Sequence, residues 1–386
     1  MKTTFYKAAL RWILAAGIVF AVFLPSASLA VTMPGHLQSS WNNLISTLTE
    51  TLDLRDKQET LPDSAFFGSD KISNARRINA LLDSAVMILL QGEANDLRQQ
   101  AIKLRTDIPA LQIERNDLRN KRVSAPESSR LPWRTTRSRM DERIEELNEK
   151  IEEKEKALSA INVEIARELR KLGLELDDRQ IDIFLTSVTG DDLFRNTVIF
   201  ANVRIVVEKL AELSRKDRDN LEINRRYTGM YLVLNDLLIA TQQGLIEKID
   251  EDYKPRLAAI RAEAEKLRDE ALERARQSQF LESQQNVFRM NAEANGLTIR
   301  VADLYAELLE NQRQSVMATL GELFRNRDVA ENTYRTVRST GDLRNLIHAG
   351  LELFDSIHTL SMPQFQPFEN ETIRREFEEI NRRLRM

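Results

Sequence analysis

The stretch 140–169, MDERIEELNEKIEEKEKALSAINVEIAREL, decides how the whole chain is read. Met140, Ile144, Leu147, Ile151, Lys154, Leu158, Ile161 and Ile165 follow one another in alternating steps of four and three, and the run continues to Glu168 or Leu169 and on to Leu172. On a helix of 3.6 residues per turn that alternation lays one narrow seam along the cylinder, suited to a single partner helix. Glu145, Glu146, Glu149, Lys150, Glu152, Glu153, Glu155 and Lys156 fall between the seam positions and make a solvated face.

A matching seam precedes it at Leu97, Ala101, Leu104, Ile108, Leu111, Arg115 and Leu118. Leu97–Arg122 and Met140–Ile165 each hold 26 residues, roughly 39 Å of helix. Equal arms around a loop of about 15 residues predict an antiparallel coiled-coil hairpin. Pairing with a second copy, as a homo-oligomer, is the other arrangement the pattern allows. Pro109 predicts a kink or a break in the first arm, because proline donates no backbone hydrogen bond.

Between the arms the pattern stops at Arg130–Arg139, RLPWRTTRSR. Four arginines, Pro132 and Trp133 sit where the hairpin turns; Lys121 and Arg122 raise the cations to six, against Glu127 alone. An exposed aromatic ring beside arginine is typical of a binding anchor, whereas a purely structural Trp133 would cap the open end of the coil. The expected contact residues are Arg130, Trp133, Arg134, Arg137 and Arg139. They suit an acidic envelope protein or an anionic membrane surface.

The rest of the chain is also helical in character. Glycine (12) and proline (9) together make about a twentieth of 386 residues, charged residues 30% and aromatics 6%. No hairpin turn bounds a strand-like run. Trp41, Leu44, Ile45, Leu48 and Leu52 predict an amphipathic helix, and 56–71 a loop. Leu193–Leu213 and Asn220–Ile249 are the apolar segments expected at the centre of a bundle, with Phe200, Tyr227, Met230 and Tyr231 read as core. A charged helix from Asp250 to Gln279 and another from Phe288 to Leu323 predict a second hairpin, turning near Ser278–Asn286. Further helices are read at Ile181–Val188, Leu343–Leu360 and Arg374–Arg385, and 361–370 as extended chain. The expected fold is all-α: an extended coiled-coil hairpin (72–172) joined to an elongated multi-helix bundle (173–386), after an N-terminal helix and loop (31–71).

Residues 1–30 read differently. Lys2, Lys7 and Arg11 precede an apolar run from Ile13 to Leu24, followed by small residues ending in Ser28 and Ala30. This is the pattern of a secretory signal peptide cleaved after Ala30. An uncleaved anchor is the alternative, although the run is shorter than the ~20 residues of a spanning helix. Removing three cations and no acid takes the net charge from −4 to −7, which argues against nucleic acid as a partner. The absence of cysteine leaves neither a lipoprotein anchor nor disulfides, so helix packing must supply stability. A bacterial periplasm is the expected compartment.

Motifs of chemistry are missing. His36, His348 and His358 have no neighbouring acids at metal-ligand spacing, and no G-x-S-x-G, P-loop or G-x-G-x-x-G occurs. Thr189-Gly190-Asp191-Asp192 reads as a helix start capped by Asp191 or Asp192 rather than a cation loop. Neither cofactor nor metal nor catalysis is expected. The sequence points to a non-catalytic exported scaffold or adaptor of the bacterial cell envelope. The alternative is a secreted all-α pore-forming protein, for which 193–210 and 230–246 are the membrane-entering candidates despite Arg204, Glu208, Asn235 and Asp236.

Overall fold

The structure, a computed structural model, describes residues 33–65, 68–127, 136–171, 187, 189–217, 220–339 and 371–385. The segment read as a signal peptide, the positions Ile181, Phe184, Leu185 and Val188, and the stretch 343–370 lie outside them. The described residues are almost entirely helical, with no strand among them. The fold is all-α, as the sequence predicts.

Helix α1 (Gly35–Gln58) buries Leu37, Leu44, Leu48, Leu52 and Leu54, the stripe expected of an amphipathic helix. A loop returns the chain to α2 (Lys71–Leu89). Asp70 starts α2 by accepting from the Ser73 amide at 2.7 Å, while Ser73 Oγ accepts from the Asp70 amide at 3.0 Å. That reciprocal pair satisfies two donors the helix start would leave unbonded. α1 and α2 lie antiparallel, joined by buried Asn74, whose amide donates to the Leu54 carbonyl at 2.8 Å.

Gly92 then redirects the chain into α3 (Glu93–Val123). Its φ of +126° belongs to glycine, and the His36 ring of α1 lies where a Cβ would be, 2.9 Å away. α3 passes through Pro109 without interruption. The expected break does not occur; the loss is one backbone hydrogen bond. The partner helix holds both sides of the site, through buried Ile108 and a 2.9 Å ion pair between Asp107 and Lys154.

That partner is α4 (Arg137–Lys171): of the seam read from the sequence, Ile144, Leu147, Ile151, Ile165 and Leu169 are buried, while Met140, Lys154, Leu158 and Ile161 are half-buried. The pairing is antiparallel within one chain. Arg122 meets Asp141, Arg143 meets Glu114 at 3.1 Å, and Arg115 meets Asn148 at 3.3 Å. Ala101, Ile165, Ala166 and Leu169 belong to the main apolar core, whereas Ile108, Ile144, Leu147 and Ile151 do not. The hairpin is therefore rooted in the bundle at one end. Beyond that root only its own seam is dry.

The centre of the bundle is α5 (Gly190–Lys216) and α6 (Leu221–Lys248). Phe194, Val203, Val206, Val207 and Leu210 of α5 and Tyr231, Leu234, Leu237 and Leu238 of α6 are buried, as are Phe200 and Met230, while Tyr227 is half-buried. The two helices expected to form the middle of the core do form it.

The sequence placed a helix end near Ile249. Instead α6 runs through a single π-turn, Ile249–Tyr253, into α7 (Lys254–Arg276). Pro255, near the start of α7, lacks an amide hydrogen. A wider turn lets the chain carry that gap without ending the helix. The combined rod of α6, π-turn and α7 is ~84 Å long, and α8 (Glu282–Ser339, 58 residues) returns beside it. Asp236–Arg327, Asp250–Arg313, Lys254–Glu310 and Arg261–Asp303 bridge the two at 2.6–2.8 Å. Towards the turn the seam narrows to Ala264, Ala271, Ala275 and Ala292, all buried. The second hairpin thus exists, with its turn at 277–281, and Phe280 and Phe288 packed edge to face with ring centres 5.0 Å apart. Finally α9 (Glu371–Arg385) lays Phe377, Ile380 and Leu384 against α7 and α8, with the Phe377 ring 4.4 Å from that of Tyr305.

Candidate functional site

The tip of the α3–α4 hairpin is the first candidate. Arg137 opens α4, and its side chain reaches back across the turn to donate to the Ala125 carbonyl at 2.8 Å. The same guanidinium lies 3.5 Å from Glu127, and the Arg137 amide donates to the Pro126 carbonyl at 3.1 Å. Arg137 therefore laces the two sides of the turn together. Arg139 is exposed on the first turn of α4. Arg130, Trp133 and Arg134 lie outside the described residues.

The electrostatics at the tip are more balanced than the sequence count implies. Arg122 is held by both oxygens of Asp141, and Lys121 Nζ lies 2.6 Å from Asp117. Asp141 keeps the Arg122 guanidinium above its usual value, through hydrogen bonding first and charge second. Counting only Glu127 overlooked Asp117 and Asp141, which sit one helical turn inside the arms and fold onto the tip. Val123, at the end of α3, is 78% exposed and adds an apolar point there.

The acids at 191 and 192 do not cap α5. Thr189 occupies the capping position but its side chain accepts from none of the helix's first amides, donating instead to Gln312 at 3.1 Å. Asp191 lies 3.3 Å from Arg98 of α3, whose guanidinium also stands 5.7 Å over the Phe194 ring. Asp192 accepts from Lys248 at 2.7 Å and from the Tyr253 hydroxyl in the π-turn. Burial, then the Asp192 carboxylate, drives the Tyr253 hydroxyl far above its ordinary range. The two acids bind α5 to its neighbours, a role no local pattern announces.

Beside Asp192 a cleft of 230 Å³ opens between α2, α5 and α6. Leu82 and Val86 form one wall, Arg195, Asn196 and Ile199 a second, and Leu237, Thr241 and Gly244 a third. Sequence reasoning passed over it. The only local signal was Gly244, a glycine inside an apolar helix.

His36 is half-buried and its Nε2 has no hydrogen-bond partner. Burial lowers its pKa, with Asn202 opposing through a hydrogen bond. Asn202 also caps α2, donating to the Leu89 carbonyl at 2.7 Å. His348 and His358 lie outside the described residues. Among the described residues no group of three or more His, Asp and Glu could hold a metal ion, and no helix is long and apolar enough to cross a membrane.

Fold and site define an all-α protein of two rooted helical hairpins. Compared with protein-family models, curated proteins and solved structures, the chain matches none.

Proposed function

We propose that the chain is a non-catalytic, exported scaffold or adaptor of the bacterial envelope that reaches its partner through the tip of the α3–α4 hairpin. One observation carries this reading: the hairpin leaves the core at Ala101 and Ile165 and continues as a two-helix arm. From Ala101 to Val123 that arm extends ~33 Å. A two-helix arm buries only one seam and adds little to the stability of the bundle. Its cross-helix ion pairs at 107/154, 114/143 and 122/141 fix the register along its length. Such an arm suits reach. The partner would be an acidic envelope protein or an anionic lipid surface, met by Arg130, Trp133, Arg134 and Arg139, while Arg137 holds the turn.

The test is a variant carrying Trp133→Ala, Arg130→Ser and Arg134→Ser, with Arg137 kept. Circular dichroism and melting temperature should match the parent chain. Capture of envelope proteins, or binding to vesicles containing phosphatidylglycerol, should fall. The parent's binding should also weaken with salt, since exposed charges are screened beyond roughly 8 Å at physiological ionic strength. A folded variant that binds as the parent does removes the tip as the contact.

A further inference from the structure

We infer that the cleft between α2, α5 and α6 is a binding site for a small amphiphilic carboxylate: a short alkyl chain ending in one anionic head group. Three independent features converge there. The first is Gly244, inside α6. A Cβ built on it meets nothing within 4 Å, so packing within the chain does not require glycine at this position. Glycine is also the costliest residue after proline inside a helix. What the missing side chain provides is depth in the cleft, where a ligand can approach the helix backbone.

The second feature is Asn196. It lines the cleft, is only 8% exposed, and its amide nitrogen has no hydrogen-bond partner. A buried donor without an acceptor is unfavourable. A turn of the Asn196 side chain toward the cleft would let an oxygen of a bound carboxylate supply that acceptor.

The third is the charge of the lining. Asp83, Asp192, Arg195 and Lys248 all contribute to it. Lys248 is engaged by Asp192, which also takes the Tyr253 hydroxyl. Asp83 is exposed on the α2 rim. Arg195, half-buried and next to Asn196, has no carboxylate within ion-pair distance among the described residues. It is the cation left to meet an anion, and its planar guanidinium matches a carboxylate through two parallel hydrogen bonds. The remaining walls, Leu82, Val86, Ile199, Leu237 and Leu245, are apolar and suit an alkyl tail. The volume of 230 Å³ corresponds to roughly eight waters, which limits the ligand to a short chain.

The experiment uses the full chain and octanoate below its micelle concentration, followed by titration calorimetry and thermal shift. Octanol supplies the tail without the charge, acetate the head group without the tail, and octylammonium the opposite charge. Octanoate should bind and raise the melting temperature, with all three controls at least about tenfold weaker. Arg195→Gln should weaken octanoate at least about tenfold, the loss of one charge-assisted hydrogen-bonding partner. Gly244→Leu should fill the cleft and abolish binding with helix content unchanged. Octanoate binding no better than octanol or octylammonium overturns the assignment, as does undiminished binding by Arg195→Gln. If Gly244→Leu fails to fold, Arg195→Gln decides alone. Neither variant touches the hairpin tip, so failure here is distinct from failure there.

Discussion

Two glycines on the same helix make opposite predictions. Gly229 and Gly244 both lie inside α6, and both should gain ~1 kcal/mol of helix propensity when replaced by alanine. Their surroundings differ. A Cβ at Gly244 meets nothing within 4 Å, so Gly244→Ala should realise the whole gain. A Cβ at Gly229 would lie 2.3 Å from Cδ2 of Leu52 and 2.9 Å from Cε2 of Tyr334. Leu52 is 4% exposed and has little room to rotate. Tyr334 is fixed at its far end by a 2.8 Å hydrogen bond from its hydroxyl to Asp56, and burial with that bond raises its pKa to about 12. Overpacking of this kind costs ~1–3 kcal/mol, and displacing Tyr334 also gives up a hydrogen bond to a carboxylate worth ~1.5–3 kcal/mol. Gly229→Ala should therefore be destabilising by about 1.5–5 kcal/mol net, while Gly244→Ala stabilises. The assay is urea unfolding followed by helix signal, with both variants and the parent run together. Adding Leu52→Ala should remove most of the clash, so Gly229→Ala should cost less in that background than alone. A Gly229→Ala chain as stable as Gly244→Ala would refute the reasoning.

Other outcomes follow from the same geometry. Cysteines at Leu104 and Leu158, which face each other by the register of the 107/154 and 115/148 contacts, should oxidise within one chain; crosslinks found only between chains would mean the hairpin pairs with a second copy. His36 has a lowered folded pKa, so below its ordinary value of 6.5 the unfolded chain binds the proton first. Its contribution should be intact above pH 6.5 and decline as pH falls below it. Melting temperatures at pH 7.5 and 5.5 should differ more for the parent than for a His36→Gln chain, and equal differences would clear His36 of the effect. Phe377→Ala should cost ~3–5 kcal/mol locally and make α9 the first site of limited proteolysis, a prediction that fails if cleavage begins elsewhere.

The parts of the fold that could be read in advance were those where one residue reports its own environment. Ile144, Leu147, Ile151 and Ile165 sit in a seam because a two-helix arm has only one dry face, and spacing reveals it. The buried middle of α5 and α6 was legible for the same reason, as a density of apolar residues. The continuity of α6 into α7 was not. Pro255 and the acids at 250–252 resemble a stop, and only a partner rod that clamps both sides, through Arg313 on Asp250 and Glu310 on Lys254, carries the helix through. The balance of charge at the tip was misjudged because Asp117, one turn before Lys121 on the same helix, was left out of the count, and because Asp141 reaches Arg122 only across the folded hairpin. Arg195 and Asn196 went unnoticed because what marks them is the absence of a partner, and that is a property of the assembled core.

The ladder of bridges between the two long rods constrains how this molecule can change over generations. From Asp236 to Asp250 the chain advances fourteen residues, and from Arg327 to Arg313 it retreats fourteen; from Lys254 to Arg261 and Glu310 to Asp303 it moves seven each way. A single inserted residue in one rod would rotate everything beyond it by ~100° and set like faces against unlike ones. Two heptads gained or lost together, one from each rod, would slide the turn outward or inward by ~10 Å and leave every other rung in place. The length of this arm is therefore free to drift, but only in matched pairs of steps, like a ladder shortened by whole rungs.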